Sequence, residues 1–181
     1  MKNLKRSVSG ARGFKMSIIL KPKDFIKITL IEEMKDVVMR HPYLAFALIS
    51  TGIEFLGKCM LTELDHWGLT PEERKSKKFK PFDKGMELMT IIDDRYAHIN
   101  IKDQLLNGFA HNFSPKTNIA LSEVKHGAKH FEQIDNKKIL VIEIFYRDFV
   151  RACNAVLNYT FNENDKMNIG LLSIPENSKI F

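Results

Sequence analysis

Apolar residues recur at helical spacing along most of this chain and give way to short β-prone runs in one stretch, 118–143. Phe25, Ile26, Leu30, Ile31, Met34, Val37 and Val38 form one stripe, with Lys27, Glu32, Glu33, Lys35 and Asp36 mostly opposite. That pattern predicts a helix from a cap at Asp24 to about Arg40. His41-Pro42 ends it, and Pro42 suits the first turn of the next helix, where its missing N–H costs nothing. The second helix, about 43–65, is apolar on most sides through Tyr43, Leu44, Phe46, Leu48, Ile49, Ile53, Phe55, Leu56, Met60, Leu61 and Leu64. A helix of that kind is expected at the centre of a bundle. Gly68 is its stop signal, and Thr70-Pro71-Glu72-Glu73 is a capping box for a short helix after it. A third core helix is predicted over 82–96, using Met86, Leu88, Met89, Ile91 and Ile92. The fourth, about 100–113, has an apolar face of Ile101, Leu105, Leu106, Phe109 and Phe113. Its other face carries Asn100, Asp103, Asn107 and His111, bordered by Gln104.

Ile119–Val124 and Ile139–Ile144 are short, β-prone and bounded by turn residues. Asp135-Asn136-Lys137-Lys138 is a turn between His130–Ile134 and Ile139–Ile142. A fifth helix should follow over 144–161, turning Phe145, Phe149, Val150, Cys153, Val156, Leu157 and Phe161 to the core. The expected fold is therefore mainly α: an antiparallel helical bundle of four to five helices. A small antiparallel β hairpin or three-stranded insertion at about 118–143 precedes the last long helix. The domain spans 23–165, between a basic disordered arm, 1–22, and a C-terminal tail, 166–181.

Charge sharpens the picture of the arm. Residues 1–23 hold Lys2, Lys5, Arg6, Arg12, Lys15, Lys21 and Lys23 and no acid. Setting those seven of the 28 basic residues aside leaves 21 against 22 acidic ones, so the net charge of +6 belongs to the arm and not to the body. Lys5, Arg6, Arg12 and Lys15, with Lys75, Lys77, Lys78 and Lys80 of the run at 74–80, are candidate contacts to RNA or another nucleic acid. The longest apolar candidate, 42–53, falls short of the roughly 20 residues of a membrane span, so no membrane association is expected. Cys59 and Cys153 lie in apolar helical patterns and read as small buried hydrophobes of a reducing, cytoplasmic compartment.

Leu105-Leu106-Asn107-Gly108-Phe109-Ala110-His111 carries the most specific signal. It resembles the Arg-Asn-Gly-x-x-His core of the HEPN superfamily, with Asn107-Gly108 and His111 in register and Leu106 at the arginine position. Ala47-Leu48-Ile49-Ser50-Thr51-Gly52-Ile53-Glu54-Phe55-Leu56-Gly57 and Phe145-Tyr146-Arg147-Asp148-Phe149 are similar to the first core helix and last helix of small bacterial proteins of that group. The resemblance covers about 24–161. It implies a helical bundle that pairs into a homodimer. In the active ribonucleases of the family, arginine and histidine of two protomers meet in the dimer cleft. His111 would then be the catalytic residue, assisting proton transfer. Leu106 offers no charge or donor for phosphate, so the resemblance implies a non-catalytic protein that acts by dimerisation and binding. The alternatives are a metal-independent endoribonuclease using His111 and a nucleic-acid-binding module using the arm and the 74–80 run.

Glu54 lies in the most apolar helix and needs a partner, either His111 or Lys58 four residues on. Glu54, Asp103, Gln104, Asn107 and His111 are the candidate binding or interface set. His126 and His130, four apart, could join His111 on a metal only if they lay on a helix. The segment reads as a loop leading into a strand, and no metal or cofactor is expected.

Overall fold

A computed structural model describes residues 17–60, 72, 80–158 and 167–170, with 17–20 and 167–170 described by their backbone. The predicted capping box at Thr70, the stop at Gly68, Leu61, Leu64, Phe161 and all but Lys80 of the candidate nucleic-acid contacts lie outside these residues. Five helices and two small sheets make up the described part.

The first helix, α1 (22–40), starts at Pro22 with Lys21 as its cap; Asp24, expected as the cap, sits in the first turn. It runs as α-helix over Pro22–Phe25, as π-helix over Ile26–Glu33 and again as α-helix over Met34–Arg40. Its buried residues Ile26, Leu30, Met34 and Val38 are spaced by four. In a regular α-helix each such step overshoots a full turn by about 40°. The wider π turns reduce that drift and hold the first positions in line with the core. The Tyr146 hydroxyl donates to the Ile31 carbonyl within the π stretch.

Pro42 opens α2 (Pro42–Met60), which buries Phe46, Ile49, Ile53 and Leu56 completely or nearly so. The expectation that apolar residues all round it would be enclosed is corrected on one side: Tyr43, Leu44 and Leu48 are exposed. By length and composition alone these 19 residues are long and apolar enough to cross a membrane, contrary to the shorter run read from the sequence. Half of that window is buried against the rest of the fold. The next helix, α3 (Pro81–Ile92), crosses α2 at backbone contact. A Cβ on Gly57 would sit 1.7 Å from the Pro81 carbonyl oxygen, and one on Gly85 would sit 2.0 Å from that of Ile53. Only glycine fits at these two places.

α3 stops short of the predicted Tyr96. The Asp93 carboxylate accepts the Arg95 backbone N–H and turns the chain into a 3₁₀ helix, Asp94–His98. Ile91, expected in the core, is 80% exposed, because the last turn of α3 carries it to the outer side. Asn100 caps α4 (101–112) by accepting the Asp103 N–H. Lys102–Asn107 of this helix is π-helical and Gly108–Asn112 is α-helical. Phe113 ends it in the left-handed region, φ 51°, and is 84% exposed rather than part of the apolar face.

The insertion is a mixed three-stranded sheet, not an antiparallel one. Its strands are β2 (Ile119–Ser122), β3 (Gln133–Ile134) and β4 (Lys137–Val141), in the order β2-β4-β3. β3 and β4 form the predicted hairpin, and β2 lies parallel to β4. Asp135 and Asn136 both have positive φ, 48° and 62°, the geometry of a two-residue hairpin turn. α5 (Ile142–Leu157) begins where β4 ends and buries Phe145, Phe149, Cys153 and Val156; Val150, expected there, is only partly covered. Backbone pairing of β1 (Ser17–Leu20) with β5 (Met167–Gly170) joins the end of the arm to the tail in a second, antiparallel sheet.

Candidate functional site

The polar residues predicted on α4 share one region, and two of them, Asp103 and Gln104, hold the chain after the helix. Asp103 forms an ion pair with Lys116. That hydrogen bond, with a further one from Asn107, holds the Asp103 carboxyl below the usual carboxylate range. The Gln104 side-chain oxygen accepts the Asn118 N–H at 3.2 Å, and its backbone carbonyl accepts the Lys116 N–H at 2.9 Å. His111 lies exposed at the far end of the helix. Of the two partners considered for Glu54, Lys58 is in reach, at 3.5 Å. Arg95 and Lys102, which precede the motif in sequence, are held elsewhere. Arg95 pairs with Asp93 and lies over the Phe131 ring, and Lys102 lies 6.0 Å above the Phe82 ring.

Between α2 and α4 runs an apolar groove of about 300 Å³, bounded by Tyr43, Leu44, Ala47, Leu106, Phe109 and Phe113. The Tyr43 hydroxyl donates to the Phe113 carbonyl at 2.9 Å, and its ring meets Phe109 edge-on at 5.1 Å. Leu106 is thus part of an apolar wall. A second apolar groove, about 320 Å³, lies on the other side of α2 against α1; Thr51 borders both. The exposed strip of α2 is flanked by apolar surface on two sides.

The strongest polar cluster was not among the predicted site residues. Tyr96, His130 and Asp148 are buried together, at 0%, 7% and 1% exposure. The Tyr96 hydroxyl donates to Asp148 Oδ2 at 3.2 Å and lies 3.2 Å from His130 Nε2. His130 Nδ1 accepts the Val141 N–H at 3.0 Å. A backbone N–H only donates, so the neutral ring carries its proton on Nε2 and donates it to the Tyr96 oxygen. Burial, reinforced by Arg95, pushes the His130 pKa down to about 4. Burial, then the neighbouring Asp148, pushes the Tyr96 phenol far up. Arg147 and Arg151 reach Asp148 Oδ1 from solvent at 3.3 and 3.7 Å. The cluster fastens the 3₁₀ turn, the loop before β3 and α5 to one another. Its one legible trace was an aspartate on the apolar stripe between Phe145 and Phe149.

The three histidines considered for a metal are dispersed in role. His130 belongs to the buried cluster, and His126 closes a capping box with Glu123. Among the described residues no group of three metal-binding side chains occurs. Cys59 and Cys153 are buried thiols, and burial pushes that of Cys153 up, with Cys59 adding to the effect. Lys80 is exposed and pairs with Asp83 at 3.7 Å. Against protein-family models, curated proteins and solved structures, the chain finds no match.

Proposed function

We propose that this chain is a HEPN-like bundle protein that acts without catalysis, by pairing with a second copy across the α2–α4 face. The observation that carries this reading is the exposed apolar groove built on the motif helix itself. Tyr43, Leu44 and Phe113 are half or more exposed, and Leu106 lines the groove beside them. Large apolar side chains gathered in one place favour a partner that removes them from water. In a two-fold pair each copy presents the same patch, so one groove serves both sides, with Asn107 and His111 on the adjoining polar stripe. The antiparallel arrangement of the helices belongs to the same proposal and is supported by the single-residue break between α1 and α2 at His41.

Light scattering on the wild type at micromolar concentration should give the mass of a dimer, and Leu44→Glu with Phe113→Asp should give that of a monomer. A wild-type monomer, or a dimer indifferent to those substitutions and to Asn107→Arg with His111→Glu, would overturn the reading.

The endoribonuclease reading keeps one observation in its favour. Lys116 supplies a cation beside the stripe that bears His111, although Asp103 neutralises it. Cleavage of varied RNAs by purified protein, lost in His111→Ala, would establish that reading over the non-catalytic one.

A further inference from the structure

Where α4 starts beside one end of the three-stranded sheet, the surface folds into a cleft of about 420 Å³. That volume is within the range of small-molecule sites. It shares no lining residue with the α2–α4 groove. Its base is apolar: Ile99 and Ile119 are 8% and 4% exposed. Its walls are polar and include no carboxylate.

Of the five carboxamides that line the cleft, Asn100, Gln104 and Asn118 are engaged through their oxygens. Asn100 Oδ1 accepts the Asp103 N–H at 3.1 Å, and Gln104 Oε1 accepts the Asn118 N–H at 3.2 Å. Because backbone N–H groups only donate, each amide is fixed with oxygen toward the protein. Asn118 Oδ1 is engaged in turn by the Thr117 hydroxyl at 3.2 Å. Among the described residues nothing accepts from the NH₂ groups of these three side chains, and these are the donors they offer the cleft. Lys138 adds an ammonium, tethered to the His98 carbonyl at 3.4 Å. Asp103, on the same turn of α4, is offset by Lys116. The cleft therefore combines directed N–H donors and a positive charge with an apolar base.

We propose that this cleft binds a small organic anion, a carboxylate or a phosphate ester. Its charged end meets the amide NH₂ groups and Lys138, and its carbon skeleton lies on Ile99 and Ile119. Charge-assisted hydrogen bonds to such an anion are stronger than neutral ones, and the fixed amides need little reordering to make them.

Benzoate, phenyl phosphate, inorganic phosphate, neutral benzamide and cationic benzamidine separate the contributions. With the full-length protein, two-dimensional NMR should show the side-chain NH₂ signals of Asn100, Gln104 and Asn118 shifting with benzoate or phenyl phosphate, and little with benzamide or benzamidine. Which of the two anions binds more tightly identifies the head group. Gln104→Glu keeps an oxygen for the Asn118 N–H but replaces a donor by a negative charge. It should weaken binding by about tenfold or more, as should Lys138→Glu, with the melting temperature of the free protein nearly unchanged. No shift with either organic anion at about ten millimolar would overturn the proposal. So would equal binding of benzamide or benzamidine, equal binding of inorganic phosphate and phenyl phosphate, or undiminished affinity in Gln104→Glu.

Discussion

Tyr96, His130 and Asp148 are polar groups shut inside the fold, whereas Tyr43, Leu44 and Phe113 are mostly apolar groups left at its surface. Each arrangement runs against the usual preference of its residues, and the two resolve the conflict differently. In the buried cluster every conflict is settled within one chain: the histidine takes a backbone N–H, the phenol bridges histidine and carboxylate, and two exposed arginines complete the carboxylate. On the α2–α4 face the chain leaves apolar surface in water. The contrast teaches that polarity can be enclosed when one chain supplies every bond, while the open apolar surface is the part whose burial rests on the proposed second copy.

The largest expected effect comes from breaking the enclosed side. Asp148→Ala leaves the Tyr96 hydroxyl buried without its acceptor and should cost about 3 kcal/mol of stability in urea unfolding. A cost under about 1 kcal/mol would mean that water or another group takes over the contact. Tyr96→Phe should cost less than the aspartate change, and the double variant less than the sum, because the groups form one network.

The next effect is a pH dependence from His130. Its folded pKa, about 4, lies below the ordinary value of about 6.5, so between these values the unfolded chain binds more protons than the folded one. Stability is therefore whole at neutral pH and falls as pH drops from about 6.5 to about 4, by about 2 to 3 kcal/mol at the lower end. His130→Gln retains an acceptor for Val141 and a donor for Tyr96 but does not titrate. It should flatten that part of the stability profile; an unaltered slope would assign the effect to another group.

The smallest effect belongs to the open side. Leu44→Glu should alter folding stability of the monomer by no more than about 0.5 kcal/mol, since the side chain is 51% exposed. A loss of about 2 kcal/mol or more would show that this position belongs to the core of a single chain.

Helical periodicity located α1, α3, α4, α5 and the start of α2 to within a few residues and chose most of their buried positions, because a stripe along one helix is a local property. The Asp135-Asn136 turn was readable for the same reason, its residue types tolerating positive φ. The sequence also marked the α4 stripe, but not that Asp103 and Gln104 would be spent on Lys116 and Asn118. Four features waited on tertiary structure: the π windings, the parallel pairing of β2 with β4, the open side of α2 and the Tyr96–His130–Asp148 cluster. Tyr96 stands 34 residues from His130 and 52 from Asp148, and no spacing rule links positions so far apart. The sequence by itself determined which faces are apolar. Which of them meet within the chain depends on how the elements pack, and that is set by the close backbone crossing at Gly57 and Gly85 and by long-range pairing.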